Sequence, residues 1–595
     1  MSQVISPPAI AISSPRDTVR VTFPDGLVLE GAVGTTIEQF LKAAQQIEPA
    51  RFPTPIAGGI YDNRLRELGY AVQRDGSLAP VLLGSSDGGR IYRRSLVLLL
   101  TTAVEELFPG VRVNVSYAVP DGGFYCMLPG RAPFTAEELS RVEAHMRAIV
   151  AADDPILKSS LPLEEAKALF ETRGEDDKVR LLEARTRNGL TIYTLHGRSD
   201  YYYGYMLPST GYMQFFRLIG TGHGFILQYP TRDNPTELGE VRKYAKIEAV
   251  FEQYEEWLAR LGVEDFGRLN RIVREQPNGS DRAQELILVA EALHEREIAN
   301  IAGEIAKRHH STALRVVMIA GPSSSGKTTF AKRLSIQLLA LGLRPFTLEL
   351  DNYFVDRELT PRDEAGNYDF EALETVNVPL FNAQLAALIA GKEVRLPRFD
   401  FITGKSMEGL TGQLQPNQII IVEGIHGLNP KLITDLHADQ LYRIYVSALT
   451  QLNVDMHNRI PTTDVRLLRR ICRDAVTRGY NATDTITRWP SVRRGEKRYI
   501  FPYQENADVM FNSALVYELA ALRPLVEPLL LQVEPGTPPH IEANRLLSFL
   551  RWVQPLSPRQ QALIPDTSLL REFIGGSILQ DYHPGSNHDE VILES

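Results

Sequence analysis

Gly321-Pro-Ser-Ser-Ser-Gly-Lys-Thr328 lies between Leu314-Arg-Val-Val-Met-Ile-Ala320 and a run from Thr328 to Leu341. The stretch meets the spacing G-x-x-x-x-G-K-[ST] at each defined position. Such a loop wraps nucleotide phosphates with backbone N–H groups, its Lys reaching the β- and γ-phosphates and its Thr offering a hydroxyl to Mg2+. The apolar run before it predicts a buried parallel strand, and the run after it an amphipathic helix whose N-terminus faces the anion. Gly321, Ser323, Ser324, Ser325, Gly326, Lys327, Thr328 and Thr329 are therefore expected around a nucleoside triphosphate.

Working outward, Pro345–Leu350 reads as a second strand with Asp351 at its carboxyl end, where ligands bind in parallel α/β sheets. A carboxylate there can take a proton from an attacking hydroxyl or hold Mg2+ through water; a loop-capping Asp is the plainer alternative. Gln418–Val422 is an apolar strand tipped by Glu423, suited to the metal alongside Thr328, whereas His426 reads as structural. Arg466, Arg469, Arg470 and Arg473 fall on one helix face, followed by Arg478. Like charges at that spacing cost about 0.2–0.5 kcal/mol per pair, so the stripe is expected to face a polyanion as a lid. A solvated face neutralised by Asp464 and Asp474 is the other reading.

The 595 residues imply three or four domains, and a net charge of −9 argues against a chain coated in nucleic acid. Two distant cysteines, Cys126 and Cys472, make neither a disulfide framework nor a metal motif. With no membrane-length apolar run and no leader pattern, cytoplasm and no membrane partner are expected. The N-terminal residues to about 17 are Ser/Pro-rich and read as loose. Residues 18–83 read as a small β-grasp-like α+β module closed by a Gly84–Gly89 linker, and 90–235 as a second α+β unit whose first helix runs Ser95–Leu107. A helical connector is expected over 238–310, with Leu286, Val289, Leu293, Ile298, Ile301 and Ile305 as its apolar stripe. Residues 312–535 alternate strand and helix as a doubly wound parallel sheet requires, and 538–595 hold a helix and a loose acidic tail.

GPSSSGKTT, LDNYF, NYDFEALE, LPRFDF, VEGIH and DVRLLRRICRDAVTRG, in this order over about 312–520, resemble the uridine kinase/phosphoribulokinase family of P-loop kinases. The resemblance implies ATP and Mg2+ as cofactors, with Lys327, Arg473 and Arg478 on the phosphates and Asp351 as general base. It places Asp369 and Arg470 on ribose hydroxyls, and Tyr353, Phe399 and Phe401 also around the acceptor. It further implies a small-molecule acceptor, uridine or cytidine first and another sugar or ribosyl compound second. Phe399 and Gly404 stand where the family's pyrimidine readers are Tyr and His, and Tyr480 replaces a lid arginine.

VTFPDG resembles the start of a TGS domain. RRSLVLLLTTAVEELFP, DGGFYCML and MLPSTGY, within Tyr92 to about Pro230, resemble the editing-type domain of threonyl-tRNA synthetase. Arg94, Leu98, Tyr202 and Met206 occupy the places of that domain's two His, Cys and third His, which implies a fold kept without its hydrolytic site. The whole layout is similar to long bacterial uridine-kinase-like proteins. An RNA contact through the N-terminal half, a nucleotide-sensing role for the kinase-like domain and assembly of copies stay open.

Overall fold

The computed structural model describes residues 16–242, 244–274, 281–364, 366–450 and 452–583. The Ser/Pro-rich start and the acidic end fall largely on residues 1–15 and 584–595, outside that set. Strands β1 (Thr18–Thr22) and β2 (Val28–Ala32) pair antiparallel across the Pro-Asp-Gly turn. Helix α1 (Ile37–Ile47) starts on Thr36, whose hydroxyl accepts from Gln39 N–H while the Gln39 side chain returns the bond. With β3 (Ile56–Tyr61), β4 (Arg64–Arg66) and β5 (Gly76–Leu82) the sheet runs β2-β1-β5-β3-β4, and α1 packs Ile37, Phe40 and Leu41 on its apolar face.

Helix α2 runs Ser86–Leu107, nine residues earlier at its start than the periodicity indicated. The segment read as the linker Gly84–Gly89 is mostly its first turn, because Ser85 Oγ caps Gly88 N–H. Next come β6 (Asn114–Val119), β7 (Gly123–Met127), α3 (Ala136–Ala152), β8 (Leu157–Pro162), α4 (Leu163–Thr172) and α5 (Asp176–Leu182). The unit ends with β9 (Gly189–Leu195), β10 (Arg198–Tyr201), β11 (Arg217–Gly220) and β12 (Phe225–Gln228). Two antiparallel sheets result, β11-β12-β7-β6 and β10-β9-β8, with the apolar α2 buried along Leu96–Val104.

Helices α6 (Ala245–Leu261), α7 (Phe266–Val273) and α8 (Arg282–Ser311) follow. The α8 stripe is corrected in one place: Val289 is exposed, and Ile287 and Ala290 take the inward positions. Then come β13 (Val316–Ala320), α9 (Lys327–Ala340), β14 (Arg344–Glu349), α10 (Val378–Ile389), the hairpin β15 (Val394–Asp400) and β16 (Lys405–Gly412), β17 (Gln418–Glu423) and β18 (Leu441–Ser447). Helices α11 (Thr462–Thr477) and α12 (Ala482–Tyr499), strand β19 (Val509–Asn512), and α13 (Glu518–Leu531), α14 (Pro538–Leu550), α15 (Pro558–Gln561) and α16 (Arg571–Ile574) complete the chain. The five-stranded sheet is parallel throughout, in the order β14-β17-β13-β18-β19. β13, β17 and β18 are almost wholly buried, as a sheet covered on both faces demands. The connections out of β13 and β17 diverge on either side of the central strand, which opens a crevice at the carboxyl ends.

The segment between β18 and α11 stitches the two halves together. Val115 N–H donates to Met456 O (2.8 Å), and Asn453 Nδ2 donates to the carbonyls of Val115 and Ser116 (3.2 and 3.1 Å). Arg90 on α2 reaches Glu542 on α14 (3.2 Å).

Candidate functional site

β13 delivers the chain to the crevice and α9 carries it away, so the loop between them is forced into a tight reversal. Ser324 (φ 58°) and Gly326 (φ 87°) both take the left-handed conformation that turns successive N–H groups to one side. Any larger residue at 326 would carry that strain and would also strike Leu569, 2.3 Å from where its Cβ would stand. The outward-facing carbonyls are tied back by α11. Arg466 donates to Ser323 O (3.0 Å), while Arg469 and Ser513 donate to Ser325 O. A loop pinned by its carbonyls holds its N–H groups in a fixed orientation, the preorganisation that anion binding needs.

Four side chains, Lys327, Thr328, Asp351 and Glu423, gather beyond the ends of β13, β14 and β17. Lys327 Nζ lies 3.8 Å from Glu423 Oε1, and Thr328 Oγ1 donates to Glu423 Oε2 (3.3 Å). Burial pushes the Glu423 carboxyl up to about 7; Lys327 opposes the shift, and Asp351 and Glu349 add to it. Asp351 opens to the crevice, yet the protein packed around it raises its carboxyl, again against the pull of Lys327. Among the described residues no three His, Cys, Asp or Glu side chains are arranged to hold a metal. One hydroxyl beside one carboxylate nevertheless suits Mg2+, a hard ion that keeps several waters and takes oxygen ligands.

Here the comparisons with known proteins become informative. The model of the "Phosphoribulokinase / Uridine kinase family" matches residues 316–520. Residues 316–520 are a phosphoribulokinase/uridine kinase family domain. The kinase-family domain is also similar to two solved structures. One is the "Structure of a Possible Uridine Kinase from Bacillus stearothermophilus", at 21% identity and TM-score 0.25, covering 36% of this chain and 98% of that one. The other is D-glycerate 3-kinase from Cryptococcus neoformans, at 17% identity and TM-score 0.20, covering 47% and 87%. The N-terminal half is homologous to threonine–tRNA ligases. That of Symbiobacterium thermophilum is 33% identical over 208 residues, 35% of this chain and 31% of the relative. That of Bacillus subtilis is 33% identical over 204 residues, 34% and 31%. The chain thus spans about a third of the length of these curated relatives.

The arginine stripe of the kinase-family domain divides in two, which corrects the expectation that it faces a polyanion as a unit. Arg466 and Arg469 are fully buried, paired with Glu496 of α12 and Glu518 of α13. Arg470 turns to the loop and donates to Ser323 Oγ (2.9 Å). Arg473 sits over Asp474 (3.5 Å) and 3.9 Å from Glu572, and burial lowers its guanidinium, with Arg478 and Arg470 adding repulsion. Arg478 is half exposed and touches Asp474 (3.5 Å).

On the acceptor side, Asp369 accepts from Tyr499 (3.2 Å), and its neighbour Glu371 is pushed up to about 7 by burial and by Glu496. Phe399 packs edge-on against Phe354 and Phe401, and Phe401 is mostly exposed. Gly404 (φ 71°) lies under Arg357, whose Nε would be 2.8 Å from any Cβ there, so the place of the missing His is taken by an arginine. Tyr353 differs from the expectation of an acceptor contact: it is buried against Phe381 and its hydroxyl donates to Gln384 Oε1 (2.9 Å). His426 is buried, and burial lowers its imidazole to about 4.

Glu572 on α16 was not read from the sequence. Thr329 donates to its carboxylate through Oγ1 (2.8 Å) and N–H (3.4 Å), a capping contact at the positive end of α9. The Thr329 donors expected on phosphate are engaged by Glu572 here. Nothing local to the loop could have signalled a partner 243 residues away.

In the synthetase-like half, Leu98, Tyr202 and Met206 are buried in one apolar core with Leu96 and Val97. Arg94 leaves that core, donating to Tyr205 O and lying against Gly204. No ionisable pair or metal-ligating set remains at these four places.

Proposed function

We propose that the chain is an ATP-dependent phosphotransferase that moves the γ-phosphoryl group onto a hydroxyl of a small molecule. Uridine or cytidine, at the 5′-hydroxyl, is the leading acceptor. The observation that carries this reading is the meeting of Lys327, Asp351 and Glu423 beside a loop whose carbonyls are tied outward. In this reading Lys327 and the loop N–H groups hold the β- and γ-phosphates. Asp351 accepts the proton of the acceptor hydroxyl, a task its raised carboxyl matches better than an ordinary aspartate would. In the same reading Arg473 and Arg478 would meet charge on the transferring group. Thr328 and Glu423 would hold Mg2+, which supplies charge neutralisation on the phosphates.

Phe399, Phe401 and Arg357 make the acceptor wall apolar and cationic rather than Tyr/His-like, which favours a sugar or ribosyl compound as the alternative acceptor. A phosphotransfer screen of the purified chain over nucleosides, sugars and sugar phosphates tests this reading. Label in no acceptor, with ATP still bound, would defeat it. Similarity to threonine–tRNA ligases supports a second role, RNA contact through residues 1–235. Salt-dependent tRNA binding by the full chain would be its signature, and no binding at high micromolar protein would retire it.

A further inference from the structure

A cavity of about 270 Å3 lies where the synthetase-like half meets the segment leading into α11, remote in the fold from the phosphate loop's own residues. Its wall carries four cations, Arg112, Arg173, Lys178 and Arg198, and three carboxylates, Glu105, Glu175 and Asp177, with Met456 and His457 closing one side.

The hydrogen bonding there is lopsided. Arg173 and Arg198 both direct their Nη2 atoms at Glu175 Oε1, at 2.6 and 3.1 Å. Glu175 is 8% exposed, and its other oxygen, Oε2, is buried with no hydrogen-bond partner; so is Arg198 Nε. Buried carboxylate oxygens and guanidinium N–H groups almost always find partners, because leaving one unmet costs about 1–3 kcal/mol or more when charged. Two residues of the cavity wall, Glu175 and Arg198, thus each keep one buried polar atom unmet, an acceptor on one and a donor on the other. Behind them the charges are already matched. Lys178 (2% exposed) forms an ion pair with Asp200, Nζ lying 2.7 Å from one carboxylate oxygen, and His457 Nδ1 hydrogen-bonds the other Asp200 oxygen at 2.7 Å. Burial alone would raise the Asp200 carboxyl, but Lys178 and His457 hold it well below the usual carboxylate range. Lys178 is thus neutralised by Asp200 and Asp455, although its Nζ makes no hydrogen bond, and Glu175 Oε2 and Arg198 Nε are unmet beside it.

We infer that this cavity is a binding site for a small zwitterion of free amino-acid size, its ammonium on Glu175 Oε2 and its carboxylate against Arg198, with Arg112 at the rim. The volume falls just short of the roughly 300–1,000 Å3 of drug-sized ligand pockets, which suits a metabolite of about ten non-hydrogen atoms. Met456 N–H is fixed to Asp177 (2.9 Å), so the wall belongs to the same segment that runs on into α11 and its loop-holding arginines.

Thermal unfolding of the full chain with each standard free L-amino acid at about 5 mM tests the site. At least one is expected to raise Tm by about 2–4 °C, the response of a ligand well above its Kd. Titration calorimetry should then give one site per chain. The methyl ester and the N-acetyl derivative of the binding amino acid, each lacking one charge, are expected to bind at least about tenfold more weakly. Glu175→Gln should weaken binding similarly, and Arg112→Gln, at the exposed rim, does so without disturbing buried pairs. No shift with any amino acid would overturn the inference. A shift unchanged in the folded Arg112→Gln chain and indifferent to both derivatives would do the same. None of these readouts involves phosphoryl transfer, so they stand or fall apart from the kinase reading.

Discussion

Two places that the sequence resemblances single out as chemical centres are built in opposite ways. At Arg94, Leu98, Tyr202 and Met206, where the resemblance to the synthetase editing domain would put three histidines and a cysteine, three of the four side chains are sealed in an apolar core. In the kinase-family domain, Lys327, Asp351 and Glu423 remain ionisable groups at a crevice, where burial raises both carboxyls. Buried charge is retained only where something holds it in place, so the contrast separates a scaffold from a site under chemical demand.

The comparison can be broken first at Asp351. Asp351→Ala should lower phosphotransfer by about 10²–10⁴-fold while ATP binding persists, as loss of a general base implies. Equal rates in that variant would make the crevice as inert as the core opposite. Next in size is Arg466. Removing it strips buried Glu496 of its two bonds from Arg466 and leaves it only Arg493, so Arg466→Ala should cost about 3 kcal/mol in urea unfolding, whereas Arg478→Ala should leave stability nearly unchanged and act on kinetics.

A pH experiment reads the tie between the two regions. Burial would raise Glu542, but Arg545 and Arg90 draw it down to about 2. Its contribution is complete above the unfolded glutamate pKa of about 4.3 and is lost as pH falls toward 2, up to about 3 kcal/mol in all. Arg90→Ala should flatten that acid limb. In the sealed core, Leu98→His should cost about 2 kcal/mol or more, because an imidazole enters a packed apolar space without partners, and no hydrolytic activity should appear. The smallest effect is expected at Glu572. Glu572→Gln removes an anion from the end of α9 and should tighten ATP binding by about 2–5-fold.

What could be read in advance follows the range of the interactions. The strand, loop and helix around Lys327 were legible because apolar run, glycine spacing and amphipathic run lie within thirty residues. The parallel sheet was legible for the same reason, from alternation along the chain. The roles of Arg466 and Arg469 were not, since their partners Glu496 and Glu518 are 30 and 49 residues on, and spacing on a helix face cannot tell a buried clamp from a lid. Tyr353 falls elsewhere than expected because a motif fixes neighbours in sequence, while the side of the turn Leu350–Tyr353 on which its ring falls is set by Phe381 and Gln384. The start of α2 was missed because glycines suggest a linker until a cap such as Ser85 is seen closing on them.

The packing of the C-terminal segment on the phosphate loop has a consequence for biosynthesis. Gly326 rests on Leu569, Thr329 on Glu572, and Lys332 Nζ on the carbonyls of Leu579 and Gln580 at 2.7 and 2.8 Å. Translation delivers the loop long before its last neighbours, and domains generally fold from the N-terminal side as they emerge. A nascent chain therefore carries the Gly321–Thr328 loop without these packing partners until residues 569–580 have emerged from the ribosome, about 240 residues of synthesis later.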